Sequence, residues 1–311
     1  MLARCGGGLS HLRLSGQPPT TTNQGRRRHA REGILSRRDH PNPSAPPVQK
    51  LRLRYAKRGR LRFTSHRDLA RAFERALRRA GVPMAYSQGF SPHPKVSWAG
   101  AVPTGVSSEA EYVELQLVRQ VDPELLCREL DAALPDGVDL LEAVEAAPGP
   151  LAERLEASRW LIEVPGVGDD ELRDAVSKLL AADSVEVERM TKDGRRSIDA
   201  RAALIDAAVL DRSDPTALSD RIRSVTAQVD DWPSEPGPYG ILVTVVRQTT
   251  PVVRPDDVLS ALQVVAGLTP SAAARATRLA QGRLDDSGGL ADPLAKDSGG
   301  DRSPAGEPAA G

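Results

Sequence analysis

Two short stretches hold the residue types best suited to chemistry: Ser65-His66-Arg67-Asp68 and Gly89-Phe90-Ser91-Pro92-His93-Pro94-Lys95. They contain both histidines found beyond residue 47. Histidine changes charge near neutral pH, so His66 and His93 are candidate general acid/base groups, with Asp68 as an assisting carboxylate. His66 stands beside the N-terminus of an expected helix, where it could donate to a phosphate or a carbonyl. The plainer reading is a histidine that only closes the helix start. In the second stretch, Pro92 and Pro94 fix the backbone around His93, and Gly89 permits a turn. A stiff loop that presents His93 and Lys95 beside Phe90 suits an anion or a stacked base. The plainer reading is a crossover whose Phe90 plugs the core. Ser65, His66, Arg67, Gly89, Phe90, His93 and Lys95 therefore form the candidate substrate or anion set, expected to meet at one edge of a sheet. The two histidines could share a metal with Asp68 or Glu74 only if they converged, and the ligand supply is thin. No metal and no cofactor is expected.

Charge singles out the same region. The formal net charge is zero, yet residues 1–47 carry +6, residues 48–119 carry +9, and the remainder −15. Arg52, Arg54, Lys57, Arg58, Arg60, Arg62 and Arg71 make a candidate nucleic-acid surface, with Arg67, Arg75, Arg78 and Arg79 beside them. The competing reading pairs Arg52 or Arg54 with Glu114 across neighbouring strands. A basic domain packed on its own acidic one is a further alternative to an anionic partner.

The elements that must position these residues follow from periodicity. Lys50–Tyr55 alternates polar and apolar and reads as a half-buried strand. Its polar side holds Lys50, Arg52 and Arg54, which an open sheet face would display with Tyr112, Glu114 and Gln116. Ser65 is an N-cap with Asp68 three residues on, a capping-box spacing. Leu69, Ala72, Phe73, Ala76, Leu77 and Ala80 repeat at helical spacing, and Arg67, Arg71, Arg75 and Arg78 line another face. Gly81 and Pro83 end the helix. Strands are expected over Val96–Ala101, Tyr112–Val118 and Val138–Val144, with a helix from Pro123 to about Leu134. That β-α-β-β-α-β order predicts a ferredoxin-like, split βαβ arrangement over residues 48–147.

Ala146–Pro150 reads as a boundary, followed by a second, smaller α+β domain over 155–267. It is expected to hold a strand near Arg159–Val164 and a helix over Asp169–Ala181. A hairpin turns at Lys192-Asp193-Gly194, and a helix runs from Asp214 to about Val229. A strand over Tyr239–Val246 and a helix from Arg254 to about Val265 complete it. Arg195, Arg196 and Arg201 either extend the basic surface or pair with the acids of their own domain; pairing is the favoured reading. Thr269–Gln281 reads as an Ala/Arg-rich helix. Residues 1–47 and most of 268–311 have the composition of disordered tails.

Several chemistries are excluded. Cys5 and Cys127 are the only cysteines and no C-x-x-C occurs, so this chain cannot by itself ligate an iron–sulfur cluster or build a cysteine zinc site. No disulfide framework is implied, which fits a reducing, cytoplasmic setting. No apolar run approaches the roughly 20 residues of a membrane span. The P-loop, dinucleotide and nucleophile-elbow patterns do not occur.

At Phe63–Asp68 (F-T-S-H-R-D), Arg71–Gly81 (R-A-F-E-R-A-L-R-R-A-G) and Tyr86–Lys95 (Y-S-Q-G-F-S-P-H-P-K) the chain resembles the radical SAM-linked protein family, a bacterial domain of unknown function. The resemblance extends from about residue 48 to 265. It implies partnership with a separate, cobalamin-type radical SAM protein and carries over no catalytic residues. Together the charge and the resemblance lead to the expectation of a non-catalytic accessory protein that binds RNA or another polyanion. Two alternatives stand beside it: an enzyme acting on RNA or nucleotides through His66 and His93, and a pure protein-docking module.

Overall fold

The computed structural model describes residues 45–191, 194–211, 238–285 and 289–295. The expected Asp214 helix and residues 1–44 lie outside these.

In the first half, β1 (Gln49–Lys57) leads through a 3-10 turn (Gly59–Phe63) into α1 (His66–Arg79). The Ser65 hydroxyl accepts from the Asp68 amide, so the helix starts on an N-cap. β2 (Val96–Ala99), β3 (Ser107–Leu117), α2 (Pro123–Asp131) and β4 (Val138–Glu145) follow. Strand order is β4-β1-β3, with β2 on the other side of β3, and every one of these pairings is antiparallel. Leu51, Leu53 and Tyr55 face α1 and α2 and pack with Phe73, Leu77 and Leu115.

The second half repeats that order with an insertion. β5 (Ala157–Pro165) and α3 (Asp169–Ala181) are followed by a separate hairpin, β6 (Glu186–Thr191) with β7 (Gly194–Asp199). A short α4 (Ala200–Ala203), β8 (Leu204–Val209), β9 (Tyr239–Arg247), α5 (Pro255–Ala266) and β10 (Arg275–Leu284) complete it. Its strand order is β10-β5-β9-β8, again antiparallel throughout. Gly267 ends α5 with a φ of 70°, the left-handed conformation that glycine adopts without strain. Ile162, Leu172, Val176, Leu242, Val258 and Leu262 form this half's core.

The protein is thus mixed α+β, and its two half-sheets join into one nine-stranded sheet among the described residues. The junction is the parallel pairing of β3 with β10 at Ser107–Thr277 and Ser108–Arg278. Two expectations are corrected here. Thr269–Gln281 is not a helix; from Arg275 it forms β10, flanked by β3 and β5. The chain from Gly282 is not featureless either: it finishes β10, pairs as β11 (Leu290–Ala291) and buries Leu294.

Those last residues change the sheet face opposite α1 and α2. The expected open face is covered where Leu151, Leu155 and Leu294 pack on Ala110 and Tyr112. The cause is simple: Tyr112 offers an aromatic ring that water would otherwise wet.

Candidate functional site

The sequence-predicted residues fall into three environments. The first is the outward side of α1. Its inner face buries Leu69, Phe73, Ala76 and Leu77, which turns Arg67, Arg71, Arg75 and Arg78 to solvent. Arg71 lies 3.4 Å from Asp68 in an exposed pair, an interaction worth little in water. Arg60 is exposed nearby, and Arg79 reaches back to the carbonyl of Ala133. The Phe63 ring, 60% exposed, lies under the Arg62 guanidinium at 4.6 Å.

The second is β2 and its two ends. The His66 ring meets Trp98 edge-on, with centroids 5.2 Å apart. Trp98 also meets Phe73 and Tyr55 at 4.9 and 5.9 Å. His66 therefore caps an aromatic cluster with one edge still in water. The Gly89–Lys95 loop departs from the opposite end of β2. Lys95 ties to Ala85 and Gln116 through the backbone, and the Ser87 hydroxyl accepts from the His93 amide. Phe90 does not plug the core; it is 92% exposed. Through the His66–Trp98 contact the first turn of α1 lies against β2, and the Gly89–Lys95 loop enters that strand two residues earlier, at Val96. Among the described residues, no three His, Cys, Asp or Glu side chains gather as a metal would need.

The third environment is internal. Arg52 is fully buried; its Nε donates to Glu114 at 2.9 Å and its Nη2 to the carbonyl of Gly149. Arg54 approaches Glu142 and Asp292, both at 3.4 Å. Arg58 binds Glu109 and Asp139, which more than offsets burial and raises its pKa. These three arginines are therefore matched to carboxylates within the sheet, as the cross-strand alternative foresaw for Arg52. In the second half, Arg195 pairs with Glu188, Arg189 with Asp257, and Arg201 donates to the carbonyls of Leu180 and Leu204.

Lys57 is not part of a solvated turn. It ends β1 at only 3% exposure, and its amine has no hydrogen-bond or ion-pair partner among the described residues. Burial is the main cause of its lowered pKa; Glu111 opposes the shift and Arg278 adds to it. The same neighbours act on Tyr55, whose phenol is pushed well up, chiefly by burial and then by Glu111. Glu111 accepts from Arg278 and from the Val102 amide, at 3.2 Å for the latter. Arg278 also donates to the Ser108 hydroxyl at 3.4 Å and lies 5.6 Å from the Trp160 ring. Through the strand register, Lys57, Ser108, Arg278 and Trp160 form one row across β1, β3, β10 and β5. A polar seam thus separates the two apolar cores. Perturbed, buried ionisable groups of this kind concentrate at functional sites.

Sequence reasoning missed this seam because its members come from four strands. A partial signal was present: Glu111 directly precedes the strand expected from Tyr112, where a charge drawn into the sheet needs a partner.

No curated protein matches the chain. Among solved structures, 27 chains match. One of them, described as an unknown protein from Galdieria sulphuraria, is 14% identical, covers 70% of this chain and 91% of its own, and has a TM-score of 0.20. Residues 50–255, more than half of the chain and spanning β1 to the start of α5, match the family described as an uncharacterized protein conserved in bacteria, DUF2344, and the chain belongs to that family.

Proposed function

We propose that this protein is a non-catalytic accessory protein that holds RNA or another polyanion along α1 and presents it to a separate radical SAM enzyme in the cytoplasm. The observation that carries the reading is the outward stripe of Arg67, Arg71, Arg75 and Arg78, bordered by the exposed Phe63 and His66. The arginines of β1, Arg52 and Arg54, are matched to carboxylates, so the α1 stripe is the basic surface left for an external anion. Aromatic rings beside guanidinium groups suit unstacked bases. The partner rests on the resemblance at Phe63–Asp68, Arg71–Gly81 and Tyr86–Lys95. We also infer that each half is a split βαβ unit; the shared order, first strand between third and fourth, supports this.

The test is fluorescence anisotropy with a labelled single-stranded RNA over a salt series. Each phosphate contact contributes about −0.7 to the slope of log K against log salt. Replacing all four arginines by glutamine should flatten the slope by about 2–3. No binding at low salt, or an unchanged slope, sinks the reading. Pull-downs from cells with and without RNase test the enzyme partner separately.

A further inference from the structure

A cleft of about 170 Å³ opens on the helix side of the seam, between Gly100–Pro103 and the Val252–Pro255 start of α5. Ser158, Trp160 and Arg278 line its floor, and Arg247, Gln248 and Arg254 its rim. Among the described residues, no carboxylate lines it. Arg278 is 4% exposed and Ser158 7%. Glu111 and Ser108 take the Nη2 and Nε of Arg278. Among the described residues, the hydrogen bonds of Arg278 thus use its Nε and Nη2, which leaves Nη1 for the cleft that it and Ser158 line. Two largely buried polar residues thus line one cavity with donors that are not committed inside the protein and can turn to a ligand. Arg247 and Arg254 add two exposed guanidinium groups at the mouth.

We infer that this cleft binds a phosphoryl group. Guanidinium forks, a hydroxyl and an amide supply more donors than a two-oxygen carboxylate can accept, and they match a tetrahedral oxyanion. The volume is near the roughly 150 Å³ of a cavity that holds one benzene ring and below the ~300 Å³ at which drug-sized pockets begin. It therefore takes a phosphate with at most one ring resting on Trp160. Asp257 does not oppose this: its carboxylate already accepts from the Arg254 amide and from Arg189, both at 2.7 Å. The cleft uses no residue of the α1 stripe, so either site can fail alone.

The experiment is isothermal titration calorimetry on the full chain with inorganic phosphate, phenyl phosphate and phenol. Phenyl phosphate should bind and phenol should not. The double variant Arg247→Gln, Arg254→Gln, both at exposed positions, should weaken phenyl phosphate at least tenfold while its thermal unfolding matches the parent. Competition then identifies the source. Displacement by a 5′-phosphorylated oligonucleotide but not its 5′-hydroxyl twin marks a strand end as ligand, whereas displacement only by small phosphates marks a free phosphomonoester. The inference is overturned if phenol binds as tightly as phenyl phosphate, if the double variant binds phenyl phosphate unchanged, or if no phosphate binds at all.

Discussion

Glu163 offers a measurement in which burial and charge can be separated. Its side chain on β5 is 6% exposed, Oε2 lies 3.5 Å from the Arg275 Nε, and Oε1 has no hydrogen-bond partner among the described residues. Burial raises its pKa from 4.5 to about 7, although Arg275 and then Arg62 pull it down. In the folded protein the carboxyl keeps its proton where the unfolded chain has lost it. The folded state is therefore undisturbed below pH 4.5 and loses stability as pH rises towards 7, after which the penalty is constant. At roughly 1.4 kcal/mol per pKa unit, the full penalty is about 3 kcal/mol. Glu163→Gln removes the titration but keeps an oxygen for Arg275. The stability of the variant minus that of the parent should rise by about 3 kcal/mol between pH 4.5 and pH 7.5, then level off. Urea unfolding at five pH values reads this difference directly, and any constant offset from the amide cancels. A difference that stays flat over that range, or falls, refutes the argument.

Two further perturbations probe how the sheet is held. Arg52→Met leaves Glu114, among the described residues, with the partly exposed Lys50, 2.7 Å away, and frees the Gly149 carbonyl; removing one member of a buried pair should cost about 3–5 kcal/mol in denaturant unfolding. Gly282→Ala places a Cβ 2.0 Å from the carbonyl oxygen of Ala291. The variant should lose amide protection across residues 290–295 and about 1–3 kcal/mol of stability by hydrogen exchange, with α3 and α5 unaffected.

Helices were the most legible part of this sequence. Ser65 with Asp68, Asp122 before Pro123, and the Asp169–Ala181 span each carry their own start signal or periodicity, and the helices begin where these say. β10 was not legible because alanine and arginine favour helix locally. Its neighbours β3 and β5 impose the strand, and their demand appears nowhere in residues 269–281. Arg52 and Arg54 were placed correctly on the polar face of β1. What lies on that face, Gly149 and Asp292, is distant in the chain, so local pattern could not distinguish a solvated arginine from a matched one. Lys57 was hidden by its basic neighbours. A register shift between Tyr55 and Lys57 sets it beside Ser108 on the seam, and alternation alone cannot anticipate such an irregularity.

The parallel joint between β3 and β10 also bears on how the chain is made. Ser108 and its partner Arg278 are 170 residues apart. At about 5–20 residues per second of synthesis, β3 emerges from the ribosome roughly ten to thirty seconds before β10 exists. During that interval the start of β3 and one side of β5 are raw sheet edges, and Glu111 lacks its arginine. A chain that stops short of Arg275 keeps those edges permanently. One strand, β10, therefore pairs both of these edges at once, and a product truncated before it would expose them to strands of other chains.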